Sequence, residues 1–175
     1  MSDTGNELVI LVDEQDNEIG LMEKLQAHKE GLLHRAISVF IVNNKRELLL
    51  QQRADGKYHS PGLWTNTCCT HPRQGESVRQ AADRRLLEEM GMEAKLKKAF
   101  SFIYKAPMGN GLIEHEYDYV FIGNSNQTPK PDADEVKAWR YVDIDVLDKE
   151  MRLQPDRFTE WFKICYRDHF FDLFK

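Results

Sequence analysis

A chain of 175 residues that is 41% apolar can bury a sizeable core in one domain without disulfide or metal staples. Its formal charge of −5 excludes a general electrostatic grip on nucleic acid or anionic lipid, each of which requires a basic face, so any phosphate must be held locally. No run approaches the ~18 apolar residues of a membrane span, the opening MSDTGNELVILVDE lacks a secretory pattern, and three cysteines, two of them adjacent, make no disulfide framework, which together read as a reducing cytoplasmic setting.

In chain order, strand signals come first: ELVILVD at 7–13, then EIGLMEK at 18–24 after the polar turn DEQDN. The apolar run Ala36 to Val42 and the run Glu47 to Gln51 flank NNKR, a hairpin signal. WTNTCCT, residues 64–70, reads as one strand stopped by Pro72. SVRQAADRRLLEEM at 77–90 predicts a helix closed by Gly91, with Ala82, Leu86, Leu87 and Met90 as its core stripe. Strands at roughly 95–105 and 112–122 are joined across APMGNG. A last strand at 138–143 leads into helices at 144–151 and from Asp156 to Phe174. This interleaving predicts an α+β fold, an α/β/α sandwich with mixed and antiparallel sheets, occupying 1–175 as one domain. Nothing resembling an internal repeat or a Ser/Gly linker divides it, and no long apolar stripe announces a dimer, so a monomer is expected.

Four clusters can carry chemistry. Cys69 and His71 are two apart on the expected strand and leave the same face, whereas Cys68 leaves the other. In LIEHEYDYV, Glu114, Glu116 and Asp118 share a face; that is either a solvated edge or a site where a cation offsets their repulsion. His28 and His34 frame AHKEGLLH at a spacing that matches no helical zinc pair or knuckle, yet three imidazoles with two carboxylates suit Mn²⁺, Mg²⁺ or Zn²⁺. On the helix, Arg85, Glu88 and Glu89 fall in one arc; the plain alternative is a surface helix laced by Arg84/Arg85 to Glu88/Glu89 pairs. Lys24, Arg53, Lys57 and Arg85 are surface charges singly and an anion clamp if they converge.

The spacing Glu76, Arg84, Arg85, Leu86, Glu88, Glu89, Gly91, Met92 resembles the Nudix box, with Thr70 in place of its opening glycine and Arg85 in place of a glutamate. In that box the carboxylates hold the Mg²⁺ ions of diphosphate hydrolysis, and an arginine cannot ligate a cation. LMEKLQAHKEGLLHRAIS, LLLQQRADGKYHSPGLWTNTCCTHP and FIYKAPMGNGLIEHEYDYVF resemble, in order and spacing, the type I isopentenyl-diphosphate isomerases of the Nudix superfamily. The resemblance runs from about residue 8 to about residue 165.

What it implies, position by position, is a metal held by His28, His34, His71, Glu114 and Glu116, and a catalytic Cys69 opposite Glu116, the latter paired with Tyr104. It further implies that Glu89 and the Cys69 carbonyl meet a substrate-borne Mg²⁺, that Lys24, Arg53, Lys57 and Arg85 contact the diphosphate, and that Trp161 lies over the hydrocarbon, with Trp64 the second candidate. An N-terminal segment 1–30 and the C-terminal helix 156–174 would cover the site. The implied reaction is a 1,3-allylic proton shift between isopentenyl and dimethylallyl diphosphate through a tertiary carbocation, which needs a closed apolar site, an aromatic face and two proton-handling groups on opposite sides of the alkene. The rival readings are a Nudix pyrophosphatase, disfavoured by Arg85, and a non-enzymatic diphosphate- or metal-binding module, which leaves Cys69, Tyr104 and Glu116 unexplained.

Overall fold

The structure is a computed structural model describing residues 7–169 and Leu173. Strands β1 (Leu8–Val12) and β2 (Glu18–Glu23) pair antiparallel across a turn closed by Asp13, whose carboxylate accepts from the Gln15 and Asn17 amides. A short helix α1 (Lys24–Glu30) follows, an element the sequence pattern did not reveal: at one and a half to two turns it is too short for an apolar period to register. The Glu23 carboxylate caps it by accepting from the Leu25 and Gln26 amides, and Gly31, at φ +62°, ends it.

Strands β3 (His34–Val42) and β4 (Glu47–Arg53) form the expected hairpin, but they pair only at Val42 with Leu48 and then part. The parting has a cause in the next segment. WTNTCCT is two strands, β5 (Trp64–Thr65) and β6 (Cys68–Thr70), and not the single strand its composition suggested. Asn66 and Thr67 break it because their side chains bond backbone: Thr67 Oγ1 accepts from the Ile41 amide and donates to the Leu49 carbonyl, bridging β3 and β4 where they separate. β6 then pairs antiparallel with β3, and β5 with β4.

The capped helix α2 (Val78–Met90) starts with a reciprocal Ser77–Gln80 capping box. Of the expected stripe, Ala82, Leu86 and Met90 are buried, but Leu87 is half exposed and Ala81 takes the inner place, since at 100° per residue positions 81, 82, 86, 89 and 90 share one side and 87 falls outside it. Gly91, at φ +59°, closes the helix against the 125–135 loop, whose Lys130 amide reaches the Met90 carbonyl and whose Asp132 amide reaches the Glu89 carbonyl. A Cβ on Gly91 would overlap the Lys130 carbonyl oxygen. Gly91→Ala should therefore cost about 2 kcal/mol or more, lowering the melting temperature by about 4–8 °C, as read by calorimetry.

Strands β7 (Lys97–Gly109) and β8 (Leu112–Asn124) are longer than expected, because APMG continues β7 and the turn is only Asn110-Gly111, both at positive φ as a two-residue hairpin demands. β8 runs parallel to β3, with His34 opposite Glu116. β9 (Val136–Asp143) pairs with β4 and leads into α3 (Ile144–Leu153). The last helix, α4 (Glu160–His169), begins later than the expected Asp156 because Pro155–Arg157 form a 3₁₀ turn and Phe158 bridges to Trp64; of its expected end, residues 170–172 and 174 lie outside the described residues.

Alternation along β3 and β4 builds a core on each side of the strands. Ile37, Val39, Ile41, Leu49 and Cys68 pack against Ala82, Leu86 and Met90 of α2, while Phe40, Val42, Leu48 and Leu50 pack against Leu147 of α3 and Trp161, Phe162 and Cys165 of α4. This is the α/β/α sandwich expected. Among the described residues no helix is long and apolar enough to cross a membrane.

Candidate active site

Strand register sets the centre of the site. Across adjacent strands Tyr104 of β7, Glu116 of β8 and His34 of β3 stand side by side, so three side chains from distant sequence meet on one face. The acidic row is no solvated edge: β8 lies between β3 and β7, and Glu114, Glu116 and Asp118 are all buried, whereas His115, Tyr117 and Tyr119 on the other face are partly exposed.

Three buried carboxyls in line need compensation. The Tyr104 hydroxyl donates to Glu116 at 2.6 Å and lies 2.9 Å from Glu114. Burial raises the Glu116 carboxyl, but the His34 ring 3.5 Å away and the His71 ring bonded at 3.1 Å outweigh it and hold it well below the usual carboxylate range. Glu114 beside it is pushed up by burial and by Glu116, and Asp118 rises to about 8 for the same reasons. Their environments drive the neighbouring acids apart, as sites with divided proton roles do.

Ligand atoms of His28, His34, His71 and Glu116 all lie within 4.8 Å of one another. His34 gives its Nδ1 proton to the Leu32 carbonyl at 2.8 Å, and His28 Nδ1 pairs with the Tyr58 hydroxyl at 3.0 Å, which leaves each Nε2 facing inward. Both Nε2 atoms are buried with no hydrogen-bond partner. Burial, then His71 and His34, push His28 down to about 3, so its imidazole stays neutral. Orphaned imidazole nitrogens converging on a carboxylate fit a divalent cation. Of the five expected ligands, four converge. The fifth, Glu114, is held by Tyr104 with an oxygen 3.7 Å from His59 Nε2.

Buried His28 and part-buried His59, the latter pushed down to about 2 by desolvation and Arg53, give the metal-free chain an acid-sensitive stability. Their folded pKa values lie below the ordinary 6.5, so the unfolded chain binds more protons and stability falls as pH drops from about 6.5 toward 3. Melting temperature against pH in a chelator should show this fall, and His59→Asn should flatten it.

Cys69 emerges from β6 beside Ser38 of β3, with Sγ 3.6 Å from Ser38 Oγ and 3.3 Å from Asn66 Oδ1. Burial, then Asp118, push the thiol far up, so it is protonated at neutral pH. Cys68 points the other way, fully buried against α2. Cys69, His71, Tyr104, Glu114, Glu116 and Trp161 line one cavity of about 510 Å³. Trp64, the second aromatic candidate, is not in its wall and stacks under Arg140 instead.

Lys24, Arg53, Lys57 and Arg85 line the same cavity, as does Glu89. Lys57 and Arg85 share Glu135, at 2.6 and 2.8 Å, Arg85 also pairs with Glu89, and Lys24 pairs with Glu7 at 2.5 Å. The pairs along α2 are as the plain surface-helix reading has them, yet Glu89 is buried, bonded to Gln51 at 2.5 Å, and Arg85 is mostly buried. Arg53 lies 5.2 Å from the Trp161 ring, joining the cationic end of the cavity to its aromatic wall.

The description of the NUDIX domain matches residues 32–162. The isopentenyl-diphosphate Delta-isomerase 2 of Aromatoleum aromaticum is 52% identical over 157 residues, spanning 90% of this chain and 83% of its own, and the isopentenyl-diphosphate Delta-isomerase of Pectobacterium atrosepticum is 49% identical over 90% and 88%. The chain belongs to the isopentenyl-diphosphate Delta-isomerase family, within the Nudix fold. Among solved structures, DR0079 of Deinococcus radiodurans overlays with a TM-score of 0.76 at 18% identity, over 93% of this chain and 99% of that one, and the MutT protein of Methanosarcina mazei with 0.63 at 18%, over 77% and 91%. These likenesses concern the fold alone. In this isomerase-family member the box helix keeps its shape while Arg85 fills a carboxylate position.

Sequence reasoning missed His59, Asn66, Gln51 and Glu135. His59 lies in the same irregular KYHSPG segment as Lys57, where no periodicity points a side chain inward. Asn66 had one available signal, a poor strand former inside an apparent strand. Glu135 meets Arg85 from 50 positions away, a contact only the fold creates.

Proposed function

We propose that the chain interconverts isopentenyl diphosphate and dimethylallyl diphosphate by protonation and deprotonation, with Cys69 and Glu116 as the two proton-handling groups. The observation that carries this reading is the convergence of the half-buried Cys69 thiol, a tyrosine-bonded carboxylate and an indole on one cavity whose other end is cationic. Lys24, Arg53, Lys57 and Arg85 bind the diphosphate there, with Glu89 available to a Mg²⁺ that travels with it. Holding the diphosphate at that end orients the butenyl chain toward Trp161, whose face stabilises the tertiary cation, and the enclosing wall keeps water from capturing it.

His28, His34, His71 and Glu116 would hold a Mn²⁺, Mg²⁺ or Zn²⁺ ion, with Glu114 next to Glu116 on the same face of β8. Bound there, a divalent cation supplies Lewis-acid polarisation of the carboxyl group. Tyr104 keeps Glu116 oriented and returns a hydrogen bond in whichever protonation state it occupies. Glu7 and Lys24 on one side and Trp161 on the other stand in the cavity wall, which supports the reading that the N-terminal segment and the last helix cover the site of a single domain.

Incubation with isopentenyl diphosphate and Mg²⁺ in D₂O, followed by NMR, tests this. Deuterated dimethylallyl diphosphate without phosphate release is expected; release of phosphate or pyrophosphate would favour a hydrolase. Lys57→Ala should raise KM about tenfold or more, the value of a charge-assisted bond, with a smaller change in kcat.

A further inference from the structure

We propose that Asn66 is a positioning residue whose side-chain oxygen fixes Cys69 and Trp161 relative to each other in the cavity wall; the proposal rests on the isomerase reading above. Asn66 is fully buried in the two-residue gap between β5 and β6. Its Nδ2 donates to the Val39 carbonyl at 3.2 Å and the Cys68 carbonyl at 2.9 Å. Its Oδ1 accepts from Trp161 Nε1 at 3.2 Å, Cys69 Sγ at 3.3 Å and Thr65 Oγ1 at 2.9 Å.

The amide can sit only this way round. An indole nitrogen is a donor and a backbone carbonyl an acceptor, so the oxygen must face Trp161 and the nitrogen must face Val39 and Cys68. Two donors to backbone on opposite flanks leave the side chain no rotational freedom, and the oxygen becomes a fixed point set by the strands. Thr65 is itself met by Thr159 at 2.9 Å, just before α4, which ties the start of the Trp161 helix to the same place.

The consequence is geometric. Cys69 reaches the site from β6 and Trp161 from α4, elements with no common strand register, yet the thiol must reach a carbon whose developing charge the indole faces. One shared acceptor sets that distance, and a misplacement of about 1 Å costs on the order of 10²-fold in rate. The Asn66 side chain bonds to Thr65, Cys69, Trp161 and the Val39 and Cys68 carbonyls, none of them in the basic cluster, so its loss should leave KM for the diphosphate little changed.

The test pairs steady-state kinetics with Raman spectroscopy of the S–H stretch, the Cys69 band being assigned by its absence in Cys69→Ala. Asn66→Ala should lower kcat about 10²-fold with KM for isopentenyl diphosphate within about threefold of the parent, and should move the Cys69 band to higher frequency as the thiol loses its acceptor. Trp161→Phe, which keeps a ring and removes one competing donor, should move the same band to lower frequency, and it serves where Asn66→Ala does not fold. A folded Asn66→Ala protein whose KM and kcat worsen together, or a band unmoved in either folded variant, would overturn the proposal. The band needs no turnover, so inactivity of the parent chain would overturn the isomerase reading separately.

Discussion

Cys69→Ala is expected to lower turnover by about 10³-fold or more, at the upper end of what a positioned proton-transfer group contributes, while Cys68→Ala leaves kcat within about twofold. The two thiols are adjacent in sequence and opposite in space. Cys69 faces the cavity beside Ser38 and Asn66; Cys68 is fully buried beneath α2 among Leu86, Met90 and Ile37. Cys68→Ala removes a small apolar atom from a packed layer, so its effect belongs in stability, about 1 kcal/mol by analogy with other small core truncations. Deuterium incorporation into dimethylallyl diphosphate measures the first effect and calorimetry the second. Comparable losses of turnover in both variants would mean that β6 is read in the wrong register. Carboxamidomethylation gives an independent check: the upward-shifted Cys69 thiol should react more slowly at pH 8 than an ordinary exposed cysteine, since the thiolate is the nucleophile.

Much of this site was legible because strand periodicity places residues two apart on one face. Glu114, Glu116 and Asp118 follow from alternation, as does the opposition of Cys68 and Cys69. The box helix announced itself through its apolar stripe and the Gly91 stop, and the structure adds the Ser77 cap. What alternation does not carry is which strands are neighbours. The meeting of Tyr104, Glu116 and His34 depends on β3 lying parallel to β8, a non-local pairing with no signature within either segment. His28 depended on α1, which is held by a Glu23 cap and tertiary packing and has no visible period of its own. The WTNTCCT reading failed for a related reason: high strand propensity at the tryptophan, threonines and cysteines concealed that Asn66 and Thr67 spend their side chains on backbone groups of β3 and β4. Leu87 failed because the stripe was drawn on apolarity alone, whereas the helix turns its inner arc to Ala81 and to the polar Glu89 and leaves Leu87 outside it.

Glu116→Gln should abolish turnover, by about 10³-fold or more, and leave the fold intact. The side chain is isosteric, and its carboxylate is one of three buried acids on one face of β8, so neutralising it relieves repulsion with Glu114 and Asp118 even as it weakens the bond from His71 and the attraction of nearby His34. Glu116 has two claims on it: it belongs to the cluster with His28, His34 and His71, and it takes the Tyr104 hydroxyl bond. Loss of activity alone would not separate them. Tyr104→Phe removes the hydroxyl and leaves every candidate ligand in place, so it should lower kcat by about 10-fold to 10²-fold while Mn²⁺ or Zn²⁺ binding, followed by equilibrium dialysis, stays as in the parent. Glu116→Gln should lower both. If Glu116→Gln binds metal normally and keeps most of its activity, the carboxylate has no part in proton transfer, and the acid opposite Cys69 must be sought in Glu114, the neighbour that Tyr104 also touches.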